Sequence, residues 1–184
     1  MSDRSQTAPV LAVVLFASAL GGFALLKSWL TGPGVAGDRT SSKAPPIDLP
    51  LLGGGRLDLS EELGKRVIVL NFFATWCGPC RAEMPEIVRF AGTLPERVRF
   101  VGIDMGETEA EVRPFLAAHG VRYPVGIDAR ETIAEAYGVR GIPTTVVIDG
   151  TGMIVWRDSG AIGNADAELG PAVRDAVARL GSRG

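Results

Sequence analysis

An α/β fold is what this sequence predicts, and three observations predict it. From about Pro45 onward, strand-like and helix-like patterns alternate. The run Val67–Phe73 is apolar apart from Asn71, as in a central strand buried on both faces. Directly behind it a helical pattern, Cys77–Phe90, opens on Cys77-Gly78-Pro79-Cys80.

The remaining elements follow in order. Ile47–Leu52 and Arg56–Leu59 flank Gly53-Gly54-Gly55 and read as an opening β-hairpin. Ser60–Gly64 is a helical turn, and Pro85 should kink the helix that starts at Cys77. Val98–Ile103 is a strand. Thr108–His119 is a helix, with Thr108 and Glu111 spaced as a capping box and Gly120 after its end. Tyr123–Ile127 is a strand and Arg130–Tyr137 a helix closed by Gly138. Thr144–Ile148 and Met153–Arg157 pair across Asp149-Gly150-Thr151-Gly152, and Ala165–Leu180 is the closing helix.

Ahead of these elements the composition changes. Val10–Leu26 carries no charge and is long enough, at the short end, to span a bilayer, with Trp29 placed as an interfacial anchor. A cleaved secretory signal is the alternative, because Ala17-Ser18-Ala19 and the small residues around Ala36 resemble cleavage sites; a helix buried in the folded domain is the third reading. Thr31–Pro46 is rich in Gly, Ser, Thr and Pro. The expected organisation is an anchor or signal over residues 1–30, a flexible linker over 31–44 and a folded domain over 45–184.

Composition narrows the chemistry. Apolar residues make up 46% of the chain and charged residues 22%, which is globular, and a net charge of −2 gives nucleic acid no basic face to bind. The two cysteines stand three positions apart, too close to staple a long loop. With one distant His119 they fall short of a structural zinc set, and Arg81 stands where haem attachment needs a histidine. No metal is expected, and redox chemistry remains.

Disulfide exchange needs one thiolate to attack and a second thiol to resolve the mixed disulfide. A cysteine at a helix N-terminus meets free N–H groups and the positive end of the helix dipole, which favour its thiolate. Cys77 is therefore the expected nucleophile, with Cys80 resolving it one turn deeper. Pro79 suits a first helical turn, where its missing N–H removes no bond.

Trp76-Cys77-Gly78-Pro79-Cys80 matches the thioredoxin active site residue for residue, and Gly138-Val139-Arg140-Gly141-Ile142-Pro143-Thr144 resembles thioredoxin's cis-proline loop. The similarity covers roughly Pro45 to Leu180. It implies that Pro143 is cis and packs beside the cysteines, and that the Ile142 backbone receives an extended substrate segment. Trp76, Gly78, Pro79, Ile142 and Pro143 are the substrate-contacting residues it points to. Trp76 either covers the disulfide or packs in the core.

Three departures separate the chain from cytosolic thioredoxin: the hydrophobic N-terminus with its hairpin, a helix–strand insertion between Asp104 and Gly138, and Asn71 in place of a buried Asp, with Phe100 where its Lys partner would lie. All three resemble the TlpA/ResA group of membrane-anchored reductases, as does Arg81-Ala82-Glu83-Met84-Pro85. That resemblance implies a third catalytic residue, Glu83, which accepts a proton or tunes cysteine acidity; a solvated surface Glu is the plain alternative. His119 is expected at a helix end, outside the chemistry.

The function this implies is reduction of disulfides in exported proteins, apocytochrome c or a metalloprotein, on the periplasmic side of the cytoplasmic membrane. A donor resembling CcdA/DsbD recharges the pair, and no cofactor beyond the Cys77–Cys80 disulfide is needed. Gly78-Pro79 matches the reducing thioredoxin, at about −270 mV. Alternatives are a disulfide oxidase or isomerase and a non-enzymatic holdase or metallochaperone. A peroxidase of the peroxiredoxin type is disfavoured, since Leu70 and Ala74 stand where its Pro-x-x-x-Thr-x-x-Cys pattern needs Pro and Thr.

Overall fold

The computed structural model describes residues 41–182, so the Val10–Leu26 run, Trp29 and most of the linker lie outside the described residues. In chain order the elements are β1 (Ser42–Lys43), β2 (Asp48–Pro50), β3 (Arg56–Asp58), α1 (Leu59–Glu62), β4 (Val67–Phe73), α2 (Gly78–Ala91) and β5 (Val98–Met105). Then follow α3 (Glu109–Ala118), β6 (Val125–Asp128), α4 (Thr132–Ala136), β7 (Thr144–Ile148), β8 (Met153–Ser159), α5 (Ala165–Glu168) and α6 (Gly170–Gly181).

Six strands form one mixed sheet in the order β1-β8-β7-β4-β5-β6. β4, β5 and β6 run parallel, while β7 is antiparallel to β4 and β8 to β7. β4 is buried along its whole length, as its apolar run requires. Its period of two sends Ile68, Leu70 and Phe72 to a core shared with the hairpin and Tyr137. Val67 and Val69 go to the opposite face, where Ile87 and Phe90 of α2 and Val173 and Ala176 of α6 cover them. This is the thioredoxin-like α/β fold that the sequence predicts.

The expected hairpin is β2–β3, and it is short. Its first strand ends at Pro50 because Leu51 leaves to bridge Gly126 on β6, with the Leu52 N–H donating to the Val125 carbonyl at 2.7 Å. Gly126 permits that approach: a Cβ there would sit 2.5 Å from Leu49 Cδ2. The insertion is α3 and β6, and Thr108 and Glu111 form the capping box. Pro85 and Pro114 both lie inside their helices.

Two expectations need correction. The sequence predicts a linker over 31–44, but Ser42 and Lys43 pair with Ile154 and Met153 of β8, and Ala44 is buried with its N–H on the Gly152 carbonyl at 2.8 Å. The β8 edge has backbone groups to satisfy, and this segment satisfies them despite its linker-like composition. The closing helix is divided at Leu169 into α5 and α6. Pro171 cannot donate to the Ala167 carbonyl and its ring crowds it, so the helix restarts there.

Candidate active site

β4 ends at Phe73, and the chain turns through Ala74–Cys77, the Cys77 N–H donating to the Ala74 carbonyl at 3.2 Å. The turn delivers Cys77 to the N-cap of α2, where its sulfur accepts from the Cys80 N–H at 3.1 Å. Cys77 and Cys80 are joined in a disulfide with an S–S distance of 2.08 Å. Cys77 is 4% exposed and Cys80 fully buried, so only the first sulfur has any route to a partner. A thiolate at position 77 would keep the amide hydrogen bond and the positive end of α2, both of which favour negative charge.

The second loop lies against the first. The Ile142–Pro143 bond is cis, and the Ile142 carbonyl is 3.7 Å from Cys77 Sγ. The Pro143 carbonyl accepts from the Gly160 N–H at 3.0 Å, and the Thr144 hydroxyl donates to the Gly141 carbonyl at 2.7 Å, tying the loop from both sides. Cys77, Cys80, Ile142 and Pro143 are thus brought together. Gly78 and Pro79 form the exposed first turn of α2. Trp76 is 71% exposed, which excludes core packing and leaves its ring at the rim of the site. His119 ends α3 with Nδ1 2.9 Å from the Phe115 carbonyl and its ring against Phe115.

Glu83 is no solvated surface residue. It is 3% exposed, one helical turn beyond Cys80 on the inner face of α2. Its Oε1 accepts from Asn71 Nδ2 at 3.0 Å and its Oε2 from the Ile162 N–H at 2.8 Å. Asn71 Nδ2 is also 3.0 Å from Thr145 Oγ1 on β7, next to the cis-proline loop. Burial lifts the Glu83 carboxyl to about 7, although the bonds from Ile162 and Asn71 pull it down; Asp158 and Glu168 add to the rise. A carboxyl in that range can hold or release a proton near neutrality.

One group of residues was not singled out from the sequence. Glu107, just past β5, accepts from both the N–H and the hydroxyl of Thr75, the residue before Trp76. Its own N–H donates to Asp104 Oδ1 at 3.3 Å. Asp104 is fully buried, and its Oδ2 has no donor among the described residues. Burial and the Glu107 carboxyl beside it push Asp104 up to about 8. Only the Asp104-Met105-Gly106-Glu107 run, a turn at a parallel strand's carboxyl end, could have drawn attention to this place in the sequence.

The AhpC/TSA family model matches residues 40–157. Thiol-disulfide oxidoreductase ResA of Bacillus subtilis is 36% identical over 115 residues, which span 62% of this chain and 64% of that protein. ResA of Halalkalibacterium halodurans is 34% identical over 125 residues, spanning 67% of this chain and 70% of that protein. The chain belongs to the AhpC/TSA family and is ResA-like within it. A solved thiol:disulfide interchange protein of the thioredoxin family from Chlorobium tepidum superposes on 76% of this ResA-like chain and 99% of its own, with a TM-score of 0.64 and 29% identity. The match to the Bacillus subtilis relative covers just under two thirds of that protein's length.

Proposed function

We propose that this ResA-like chain is a thiol–disulfide oxidoreductase that reduces disulfides of exported proteins. The observation that carries the reading is the Cys77–Cys80 disulfide at the N-terminus of α2, with only Cys77 reaching the surface and the Cys80 N–H on its sulfur. The name of the ResA relatives, thiol-disulfide oxidoreductase, supports it.

In the reduced state the Cys77 thiolate attacks a substrate disulfide, forming a mixed disulfide and releasing one substrate thiolate. Cys80 then gives its proton to Glu83 and attacks the Cys77 sulfur. The second substrate thiolate leaves, and the Cys77–Cys80 disulfide re-forms. Two electrons have passed to the substrate, and no cofactor besides the sulfur pair carries them. The Ile142 backbone, held beside Cys77, aligns an extended substrate segment, while Trp76, Gly78 and Pro79 supply the exposed rim.

The substrate class is an exported protein with paired cysteines, apocytochrome c or a copper-site metalloprotein, and the resemblance to the TlpA/ResA group supports this. The same resemblance supports a membrane electron donor similar to CcdA/DsbD. The Val10–Leu26 run would hold the domain at the periplasmic face of the cytoplasmic membrane. Among the described residues no helix is long and apolar enough to cross a membrane, and that run is not one of them.

Trapping tests the reading. A Cys80→Ser chain expressed in cells should accumulate a mixed disulfide through Cys77 with one or a few exported proteins, and Cys77→Ser should accumulate none. Background adducts alone, or a potential near that of DsbA (about −120 mV), would overturn the reductant assignment.

A further inference from the structure

We propose that Glu107 and Asp104 form a positioning device for the attacking cysteine: Glu107 grips Thr75 at two points, and Asp104 holds Glu107 in place. The inference rests on the thiol–disulfide reading for the importance of Cys77, but its geometry is separate from the Glu83 side of the site.

Thr75 is the second residue of the turn that carries Cys77 from the end of β4 to the N-cap of α2. Both of its polar donors, N–H and Oγ, end on the two oxygens of one carboxylate, and that carboxylate comes from 32 residues further along the chain. A two-point grip fixes direction as well as distance, which a single hydrogen bond does not. With the turn held in this orientation, the sulfur two residues later lies 3.1 Å from the Cys80 N–H.

Asp104 explains how the grip can be built in the interior. It sits on β5 with Phe73 of β4 and Ile127 of β6 as its register neighbours, both apolar. Among the described residues neither its carboxyl nor that of Glu107 has an ion-pair partner. Glu111 on α3 is the further charge that bears on Asp104, and it is of the same sign. Two adjacent carboxyls without a cation cannot both stay ionised cheaply in such a place. A proton kept on Asp104 resolves this. It makes Asp104 a donor toward Glu107 and supplies the orphaned Oδ2 with a role. Glu107 keeps both oxygens aimed at Thr75.

A purely electrostatic role and a positioning role predict opposite signs. Removing an acidic group near α2's N-terminus would raise the thiolate population at Cys77 and speed alkylation. Losing the grip would instead let the turn drift from the helix end and slow it.

The experiment uses the full chain, reduced, with iodoacetamide as the probe of Cys77 from pH 5 to 9 and insulin as the disulfide substrate. Glu107→Ala is expected to slow alkylation at neutral pH roughly tenfold and to lower kcat/KM for insulin in proportion. Thr75→Val keeps the charge and the N–H contact but loses the hydroxyl contact, and should slow both about threefold. Asp104→Ala should behave like Glu107→Ala. Asp104→Asn, whose amide can donate where the acid did, should recover most of that loss. Faster alkylation in Glu107→Ala overturns the proposal. So does an unchanged alkylation profile with only a lowered melting temperature, or a failure of Asp104→Asn to rescue. Should Glu107→Ala not fold, Thr75→Val and the Asp104 pair still decide. If the unmodified chain fails to reduce insulin, the reductase reading falls, while the alkylation series still judges the grip.

Discussion

Asn71 Nδ2 and Glu83 Oε1 meet at 3.0 Å between β4 and α2, twelve residues apart in sequence and both out of water. The strand position that holds an acid in thioredoxin holds an amide here, and the carboxyl comes instead from the helix that carries the cysteines. Asn71 donates to that carboxyl, whereas an acid would repel it. One ionisable group therefore sits behind Cys80, with burial as the main force on its protonation.

In the proposed mechanism that arrangement should appear in the pH dependence of exchange. In the proposed role of proton acceptor for Cys80, Glu83 would have to be ionised, so the rate of resolution should rise with pH through about 7, where burial places its carboxyl. Glu83→Gln should remove that rise and lower kcat on the order of 100-fold, with KM little changed. The pH–rate profile of insulin reduction checks both. A profile that keeps the step near 7 in the Gln variant assigns the step to another group.

Asn71→Asp places a second carboxyl against Glu83. The two would share a proton, and the upper ionisation of the pair would move above that of Glu83 alone. The alkaline shift should appear in the same pH–rate profile, and infrared spectroscopy should show a carboxyl still protonated above pH 7.

Stability should fall as pH rises. Unfolded, Glu83 and Asp104 titrate near 4.5 and 3.8; folded, at about 7 and about 8. Between these limits the unfolded chain has released protons that the folded chain retains, so the folded state binds more protons and loses stability with increasing pH. The loss is absent below about pH 3 and complete above about pH 9, with Glu83 contributing about 3 kcal/mol at most. Urea midpoints at pH 5 and pH 9 measure it, and the Glu83→Gln/Asp104→Asn double variant should flatten the curve.

Trp76, at 71% exposure, contributes little to the core. Trp76→Ala should leave the unfolding free energy, from urea titration, within about 0.5 kcal/mol of the parent. Its effect should fall on a protein substrate, as a several-fold higher KM for insulin, while the rate with a small disulfide is held. A large loss of stability would show that the ring packs in solution.

Gly126→Ala should destabilise by about 1–3 kcal/mol, since the new methyl falls on Leu49 of the hairpin. Leu49→Ala costs core contacts by itself, yet the double variant should be more stable than the two losses added. Additive losses would place the clash on the Pro50 carbonyl, 2.9 Å from that methyl, rather than on the Leu49 side chain.

Local pattern made much of this fold legible. The apolar run, broken only by Asn71, placed β4 residue for residue, and the cysteine spacing placed the sulfur pair at the start of α2. The short edge strand Ser42–Lys43 was hidden, because its composition is that of a linker and its pairing depends on an edge more than a hundred residues later. The break at Leu169 was readable from Pro171, whose missing N–H acts locally.

What the sequence by itself determined was the order of strands and helices, the redox pair and the residues flanking it, because periodicity, helix-end chemistry and a three-residue spacing are properties of neighbouring positions. Only the tertiary structure decided what surrounds the carboxyls. Glu83 finds the Ile162 N–H 79 residues away, Asn71 finds Thr145 at 74, and Thr75 finds Glu107 at 32. A buried polar group takes the partner that the crossing of strands and loops brings within 3 Å, and that crossing is set by how whole apolar faces pack, which no stretch of neighbouring residues encodes.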